Sequence, residues 1–386
     1  MRVAINASSL GSALTGLGQY TLHLSSALLR SRMLELDFFY EDHWSGALEL
    51  NSTMLSKLSN LTKLRIFVRD HVPGAYDIKL AWMQRNFVRG LNAGRLDLYH
   101  EPNFIAFNTD VPTVITVHDL SWIKFPEAHP QSRVRAMNKY FERGLNQSSF
   151  LITDSAYVRD EVIDVFGYPE DRIKSIPLGV DASFKPRSSE QTREVLGLYG
   201  LEHGSYILLV GTIEPRKNIP TALEAFMALP KKIRLENPLV LVGMKGWLGG
   251  DIEDRLASLI AQGEVRRLGY VNQADMPILL SGALTLVFPS IYEGFGLPPL
   301  EAMASGVPVI TSDASSIPEV VGSGGLMFNP HDVDGFSGAM RDLISDHSRR
   351  AELGSIALEL SKKFSWDRCA EDTLGVYRQV IGEPGN

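Results

Sequence analysis

The feature that most narrows the fold of this chain is an alternation of short apolar runs with longer amphipathic stretches, carried through twice. In the first half, Val3–Asn6, Asp37–Tyr40, Leu64–Val68, Leu96–His100, Thr113–Val117, Phe150–Thr153 and Ile173–Pro177 are short and rich in β-branched or aromatic residues, as buried strands are. Helical patterns such as Gln19–Arg30 and Arg133–Leu145 lie between them. Asp181–Gly204, with Pro186 and paired serines, reads as a linker holding one short helix. The alternation then restarts with Tyr206–Val210, Leu239–Val242, Val265–Leu268, Leu284–Phe288, Val307–Thr311 and Leu326–Phe328. Helices are expected at Asn218–Ala228, Asp251–Gln262, Ala274–Ser281, Pro298–Ala304, Ile317–Val321 and Val333–Ser345. This order predicts an α/β chain of two doubly wound parallel sheets, residues 1–182 and 183–365. Sheets of this kind bind ligands beyond the carboxyl ends of their strands, so a cleft between the halves is the expected site.

Composition sets the outer limits. The chain has 386 residues, enough for two domains, with 44% hydrophobic and 22% charged residues, the balance of a water-soluble globular protein. Its 38 Lys and Arg against 45 Asp and Glu give a net charge of −7, which argues against a general nucleic-acid binder. The single cysteine, Cys369, excludes internal disulfides and cysteine-based zinc sites. Met1–Leu10 lacks the apolar core of an export signal and no apolar run is long enough to span a bilayer, so the cytoplasm is the expected compartment.

Four segments carry candidate chemistry. A buried strand runs into a glycine-containing loop that holds Glu293 and then into a helix opened by Pro298 and Pro299, with Glu301 in its opening turns. Carboxylates there suit vicinal hydroxyls, and the helix end suits an anion, although a capped helix with a glutamate near its start reads the same way. Arg216 and Lys217 follow the strand Tyr206–Val210 through Gly211 and Thr212, placing a planar fork and a mobile cation where a diphosphate could lie. A solvated turn is the plainer reading. Gly16 and Gly18 follow the first strand and would let a ligand approach the backbone, or simply make a tight turn; the pattern lacks the third glycine of a dinucleotide fingerprint. His118 leaves the strand Val111–Val117, where it could donate to a sugar hydroxyl or be a satisfied structural histidine, with Asp119 orienting it or capping the next turn.

Other chemistry is not encoded. The nine histidines form no metal-binding spacing, and no Gly-x-Ser-x-Gly elbow occurs. Lys79–Arg95 and Arg133–Arg143 mix cations with aromatics, a pattern open both to anionic lipid and to an ordinary half-buried helix.

As an ordered set these segments resemble the retaining family 4 glycosyltransferases of the GT-B fold. The resemblance runs over nearly the whole chain and is carried by Glu293…Glu301, by Gly211-Thr-Ile-Glu-Pro-Arg-Lys-Asn218, by Ile152-Thr-Asp-Ser155 and by Pro177-Leu-Gly-Val-Asp181. It implies that Arg216 and Lys217 bind the diphosphate of a nucleotide sugar and stabilise the leaving group. It gives Glu301 the ribose, and gives Glu293 the transferred sugar, with help from the loop amides of Phe295, Gly296 and Leu297. It sets Tyr270 and Val271 near the base, His118 near the reacting carbon, and the Gly16–Gly18 loop near the phosphates. The helix Trp366–Ile381 is expected to pack back on the first half.

Many members carry Arg where this chain has Thr212, so one phosphate contact is missing or supplied differently. The sub-branch resembles bacterial mannosyl- and rhamnosyltransferases of surface polysaccharide assembly. That implies a GDP-linked hexose such as GDP-mannose, a saccharide or polyprenyl-linked saccharide acceptor, no metal or other cofactor, and contact with the cytoplasmic face of the inner membrane as an option. A nucleotide-sugar 2-epimerase of the same fold and a non-catalytic nucleotide-sugar binder are the alternatives.

Overall fold

The structure is a computed structural model, and it describes residues 1–11, 16–49, 74–91, 95–244 and 250–382. Two compact units emerge: Met1–Gly179 with Ser365–Asn386, and Val180–Phe364. The sequence reading drew its boundary after residue 182.

The first unit holds a seven-stranded sheet in the order β3-β2-β1-β4-β5-β6-β7. Its strands are β1 (Arg2–Asn6), β2 (Glu35–Tyr40), β3 (His43–Ser45), β4 (Leu98–Glu101), β5 (Thr113–Val117), β6 (Phe150–Thr153) and β7 (Ile173–Ser175). All neighbours run parallel except β2 and β3, which pair antiparallel at the edge. The expected strand Leu64–Val68 lies outside the described residues.

The helix Trp366–Ile381 packs on the helix Gly16–Ser31. Trp366 stacks on His23 with centroids 5.2 Å apart, and the Tyr377 hydroxyl meets His100 Nδ1 at 2.7 Å. The apolar stripe of that last helix, which includes Trp366, Ala370, Leu374 and Tyr377, is buried, which is why it docks rather than projects.

The second unit holds a six-stranded parallel sheet in the order β10-β9-β8-β11-β12-β13. Its strands are β8 (Ile207–Val210), β9 (Leu239–Val242), β10 (Val265–Gly269), β11 (Thr285–Phe288), β12 (Val309–Ser312) and β13 (Gly325–Phe328). Ile207, Leu209, Leu239 and Leu241 enter one apolar cluster, while Leu208, Val240 and Val242 enter another. Both faces are covered, which explains strands that read as continuous apolar runs rather than alternating ones.

Two expectations need correction. Asp181–Gly204 is not a free linker. Its helix, Ser189–Leu198, is closed by a Ser188–Gln191 capping box, and Leu196 lies in the core of the second unit. The helices Ala156–Phe166 and His347–Ser361 were not anticipated, although Ser155 and Asp346 cap them through their side chains.

The strand orders locate the ligand edges. In each sheet the order reverses beside one central pair, β1 and β4 in the first and β8 and β11 in the second. Loops leaving such a pair on opposite sides open a crevice at the carboxyl ends.

Candidate active site

In the second unit the two loops at the crevice are those after β8 and β11, and they are tied to each other. Residues Pro215–Lys217 form one 3-10 turn, and Asn218 after it takes a left-handed φ of 52°. Asn218 Nδ2 donates to the carbonyls of Pro289 at 3.1 Å and Pro330 at 2.6 Å, and its Oδ1 accepts from Thr221 at 3.0 Å. The Ile291 amide donates to the Arg216 carbonyl at 2.8 Å. The turn bearing the cations is thus held against the loop bearing the carboxylate.

The side chains meet there. Lys217 Nζ lies 2.5 Å from Glu293 Oε1, and Arg216 Nη1 lies 3.2 Å from Glu293 Oε2. Arg216 Nε faces Glu214 Oε1 at 2.5 Å. All four side chains are largely buried. Burial opposes ionisation of Glu293, but the charges of Lys217 and Arg216 outweigh it and hold the carboxyl below its ordinary range. Burial draws Lys217 below its ordinary value, against the pull of Glu293. Two cations and two carboxylates cancel, so the cluster carries no net charge. An incoming diphosphate would take the cations and free Glu293 for another donor.

The Glu293 loop is braced from the other side. The Glu293 amide donates to Ser315 Oγ at 2.9 Å, and Ser316 Oγ donates to the carbonyls of Glu293 at 2.8 Å and Phe295 at 3.0 Å. Gly296, at φ 116°, turns the chain into the helix Leu297–Ala304, with Pro298 and Pro299 in its first turn. Phe295 is buried against Phe364, ring centroids 5.9 Å apart. Glu301 sits on that helix, half-buried, and its carboxyl has no hydrogen-bond or ion-pair partner among the described residues. Burial, then the charge of Asp181, pushes its pKa up to about 8.

Tyr270 is half-exposed, whereas the Val271 side chain lies in the core, leaving only its backbone for a ligand. Thr212 lies between Gly211, which closes β8, and the buried Ile213. In the first unit, Gly16 and Gly18 form the first turn of the helix Gly16–Ser31.

His118 is not a free donor. Its Nδ1 lies 2.7 Å from Asp154 Oδ2 and its Nε2 lies 2.9 Å from the Pro102 carbonyl. Tyr20 and Phe104 close on the ring edge-to-face at 4.8 Å and 5.6 Å. With Asp154 ionised, both ring nitrogens face acceptors, an arrangement the imidazolium satisfies. Burial works against that charge, yet Asp154 and the Pro102 carbonyl raise the pKa above its ordinary value. Asp119 instead accepts from the Ser121 amide at 2.9 Å and so caps the next turn. The residue that holds His118 is Asp154, at the end of β6, inside a segment the sequence had singled out but without a role.

Comparison with known proteins shows the family of the chain. Residues 199–359 match the model "Glycosyl transferases group 1" and residues 14–184 match "Glycosyltransferase Family 4". The chain is 37% identical to the O-antigen chain mannosyltransferase B of Escherichia coli, over 95% of this chain and 96% of that protein. The chain belongs to the family 4 glycosyltransferases. It is also 35% identical to the serotype-specific mannosyltransferase WbdA of Escherichia coli over 70% of its own length, which is 34% of that longer protein. Sucrose-phosphate synthase from Thermosynechococcus elongatus superimposes with a TM-score of 0.74 at 20% identity, covering 99% of both chains. The fold is GT-B.

The β8–β11 crevice brings two cations, Arg216 and Lys217, against the carboxylate of Glu293. Among the described residues no cluster of His, Cys, Asp and Glu could hold a metal ion, and no helix is long and apolar enough to cross a membrane.

Proposed function

We propose that this glycosyltransferase moves mannose from GDP-mannose to a saccharide or lipid-linked saccharide acceptor, with retained stereochemistry, in the assembly of an O-antigen or related surface polysaccharide. The observation that carries the reading is the Arg216–Lys217–Glu293 cluster at the crevice, in a chain whose full-length relative is an O-antigen mannosyltransferase.

Arg216 and Lys217 take the diphosphate and neutralise the charge that grows on it as the bond to the sugar breaks. Glu293, released from its cations, accepts from hydroxyls of the sugar, aided by the amides of Phe295, Gly296 and Leu297. Glu301 accepts from the ribose. The acceptor oxygen bonds to the anomeric carbon on the face the diphosphate leaves, and its proton passes to the departing phosphate oxygen. His118 serves the sugar near the reacting carbon, its Nε2 proton shared between the Pro102 carbonyl, which keeps the ring in place, and a substrate oxygen. The two cations supply positive charge without a metal, so transfer is expected to survive EDTA.

The deciding experiment has two arms. A thermal-shift panel of GDP, UDP and ADP should show stabilisation by GDP above the others, because a ligand bound only to the folded state raises its apparent stability. Incubation of GDP-mannose with acceptor should then give an α-linked product. Stabilisation by UDP alone overturns the donor assignment, and a β-linked product overturns retention. Conversion of donor without any acceptor would favour the epimerase instead.

Glu301 gives this reading a pH signature. Its folded pKa of about 8 lies above the 4.5 of a free carboxyl, so folding takes up protons across that window and stability falls as pH rises through it. Ribose hydroxyls donate to the ionised form. Calorimetry should therefore show GDP binding more tightly as pH rises towards that value, by up to about tenfold per unit, with Glu301→Gln removing the slope. A slope unchanged in Glu301→Gln would take this residue out of the nucleotide site.

Membrane contact is part of the proposal through the helix Ala75–Leu91. Ile78 and Trp82 are 72% and 47% exposed there beside Lys79 and Arg85, a set that suits an anionic lipid surface. The helix Gln131–Gln147 takes the plainer form, with Met137, Phe141 and Leu145 buried and its cations outward. The cytoplasm remains the proposed compartment, since nucleotide sugars are made and used there.

A further inference from the structure

The first unit holds a buried carboxylate that this chemistry does not use. Glu101 closes β4 and Asn6 closes β1, the pair beside which the order of that sheet reverses. Glu101 is 0% exposed. Its Oε2 accepts from Asn6 Nδ2 at 2.7 Å and from the Tyr99 hydroxyl at 2.5 Å, while its Oε1 accepts from the Asn103 amide at 2.9 Å. The orientation of Asn6 is fixed, because its Oδ1 accepts from the Ser8 amide at 3.1 Å. Two obligate donors therefore reach different oxygens of one carboxyl group, which fits the ionised form. Burial pushes the pKa up to about 7, and the three donors oppose that rise.

What this clamp holds is the turn Glu101–Phe104. Pro102 restricts the chain and offers only a carbonyl, the one that accepts from His118 Nε2. Phe104, with a φ of 63°, lies in the left-handed region that residues with side chains seldom occupy, and the turn places its ring on His118 and Trp122. The Asn103 amide bond to Glu101 is what ties this turn back to the end of the strand.

We propose that Glu101 is a positioning residue for His118, acting through the Pro102 carbonyl. Its importance for transfer rests on the reading of His118 given above; its effect on the imidazole does not. The groups that face His118 are Asp154 from β6, Asp119 beside it, His100 on β4 and Tyr20 from the helix Gly16–Ser31. Glu101→Gln leaves all of these in place and puts an amide where donors converge, so the clamp loosens and His118 loses its second acceptor.

The test is histidine titration by NMR in the full-length protein, with His118→Gln used to assign the resonance. In Glu101→Gln the His118 pKa should fall by about one unit, the worth of a hydrogen bond to a charged group. Turnover should drop by about tenfold, while GDP affinity, set in the second unit, stays at the parental value. A His118 titration identical to the parent overturns the proposal. Should Glu101→Gln not fold, Asn6→Ala removes one donor from the same clamp: a lowered His118 pKa supports the proposal and a parental one overturns it. Full transfer by His118→Gln would end the role of His118 in the reaction and leave the titration result to decide the clamp.

Discussion

Lys217→Ala is expected to lower transfer by about 10²- to 10³-fold, the scale on which a single charge-stabilising group acts at a developing anion, while the protein still folds. Removing Lys217 leaves Glu293 paired with Arg216 at 3.2 Å, so no buried charge is left alone. Glu293→Ala differs. It strips the partner from Lys217 and one partner from Arg216, and both side chains are largely buried. Breaking a buried pair from one side costs about 3–5 kcal/mol, so this variant should lose stability as well as activity. The double variant Lys217→Ala/Glu293→Ala should recover part of that stability and none of the activity, a coupling that a double-mutant cycle reads directly. Thermal melts and GDP release under single-turnover conditions supply both numbers. Full activity in Lys217→Ala would remove this lysine from the mechanism, and additive stability losses would mean that the pair is not coupled.

Much of this site could be read from the chain because its parts are local. Arg216 and Lys217 lie within one turn after a buried strand, and Glu293 and Glu301 lie on either side of one loop-to-helix corner. The pairing of Lys217 with Glu293 was not legible, since it depends on β8 and β11 being neighbours, which strand patterns alone do not fix. The same holds for Asn218, Ser315 and Ser316, whose polar side chains brace loops from other parts of the sheet. Glu214 lay inside a recognised motif, but only the fold shows it turned onto Arg216. In the fold, strand ends such as Val309–Ser312 against the expected Val307–Thr311 shift by a residue or two, because strands buried on both faces carry no alternation to mark their limits. The edge strand His43–Ser45 escaped notice because three residues, one exposed and two half-buried, make no pattern.

Gly243→Ala is the substitution expected to harm this protein most from outside the charged cluster. Gly211 and Gly243 follow the neighbouring strands β8 and β9, with φ of 148° and 150°, a region that side chains rarely enter. A Cβ on Gly243 would lie 1.9 Å from the Gly211 carbonyl oxygen and 3.2 Å from the Thr212 amide nitrogen. Those are backbone atoms of the segment that leads to Arg216 and Lys217, and they cannot rotate aside. A Cβ on Gly211 would instead meet the Lys217 side chain at 3.3 Å, which can give way. Gly243→Ala should therefore cost about 3 kcal/mol or more, from backbone strain together with a displaced loop. In a unit of this size that lowers the melting temperature by about 10 °C. Gly211→Ala should be milder in stability but should weaken GDP binding by pressing on Lys217. A Gly243→Ala protein with the parental melting temperature and parental transfer would show that the two strand ends need not approach so closely, and that the Gly211–Asn218 segment is positioned by its own turn alone.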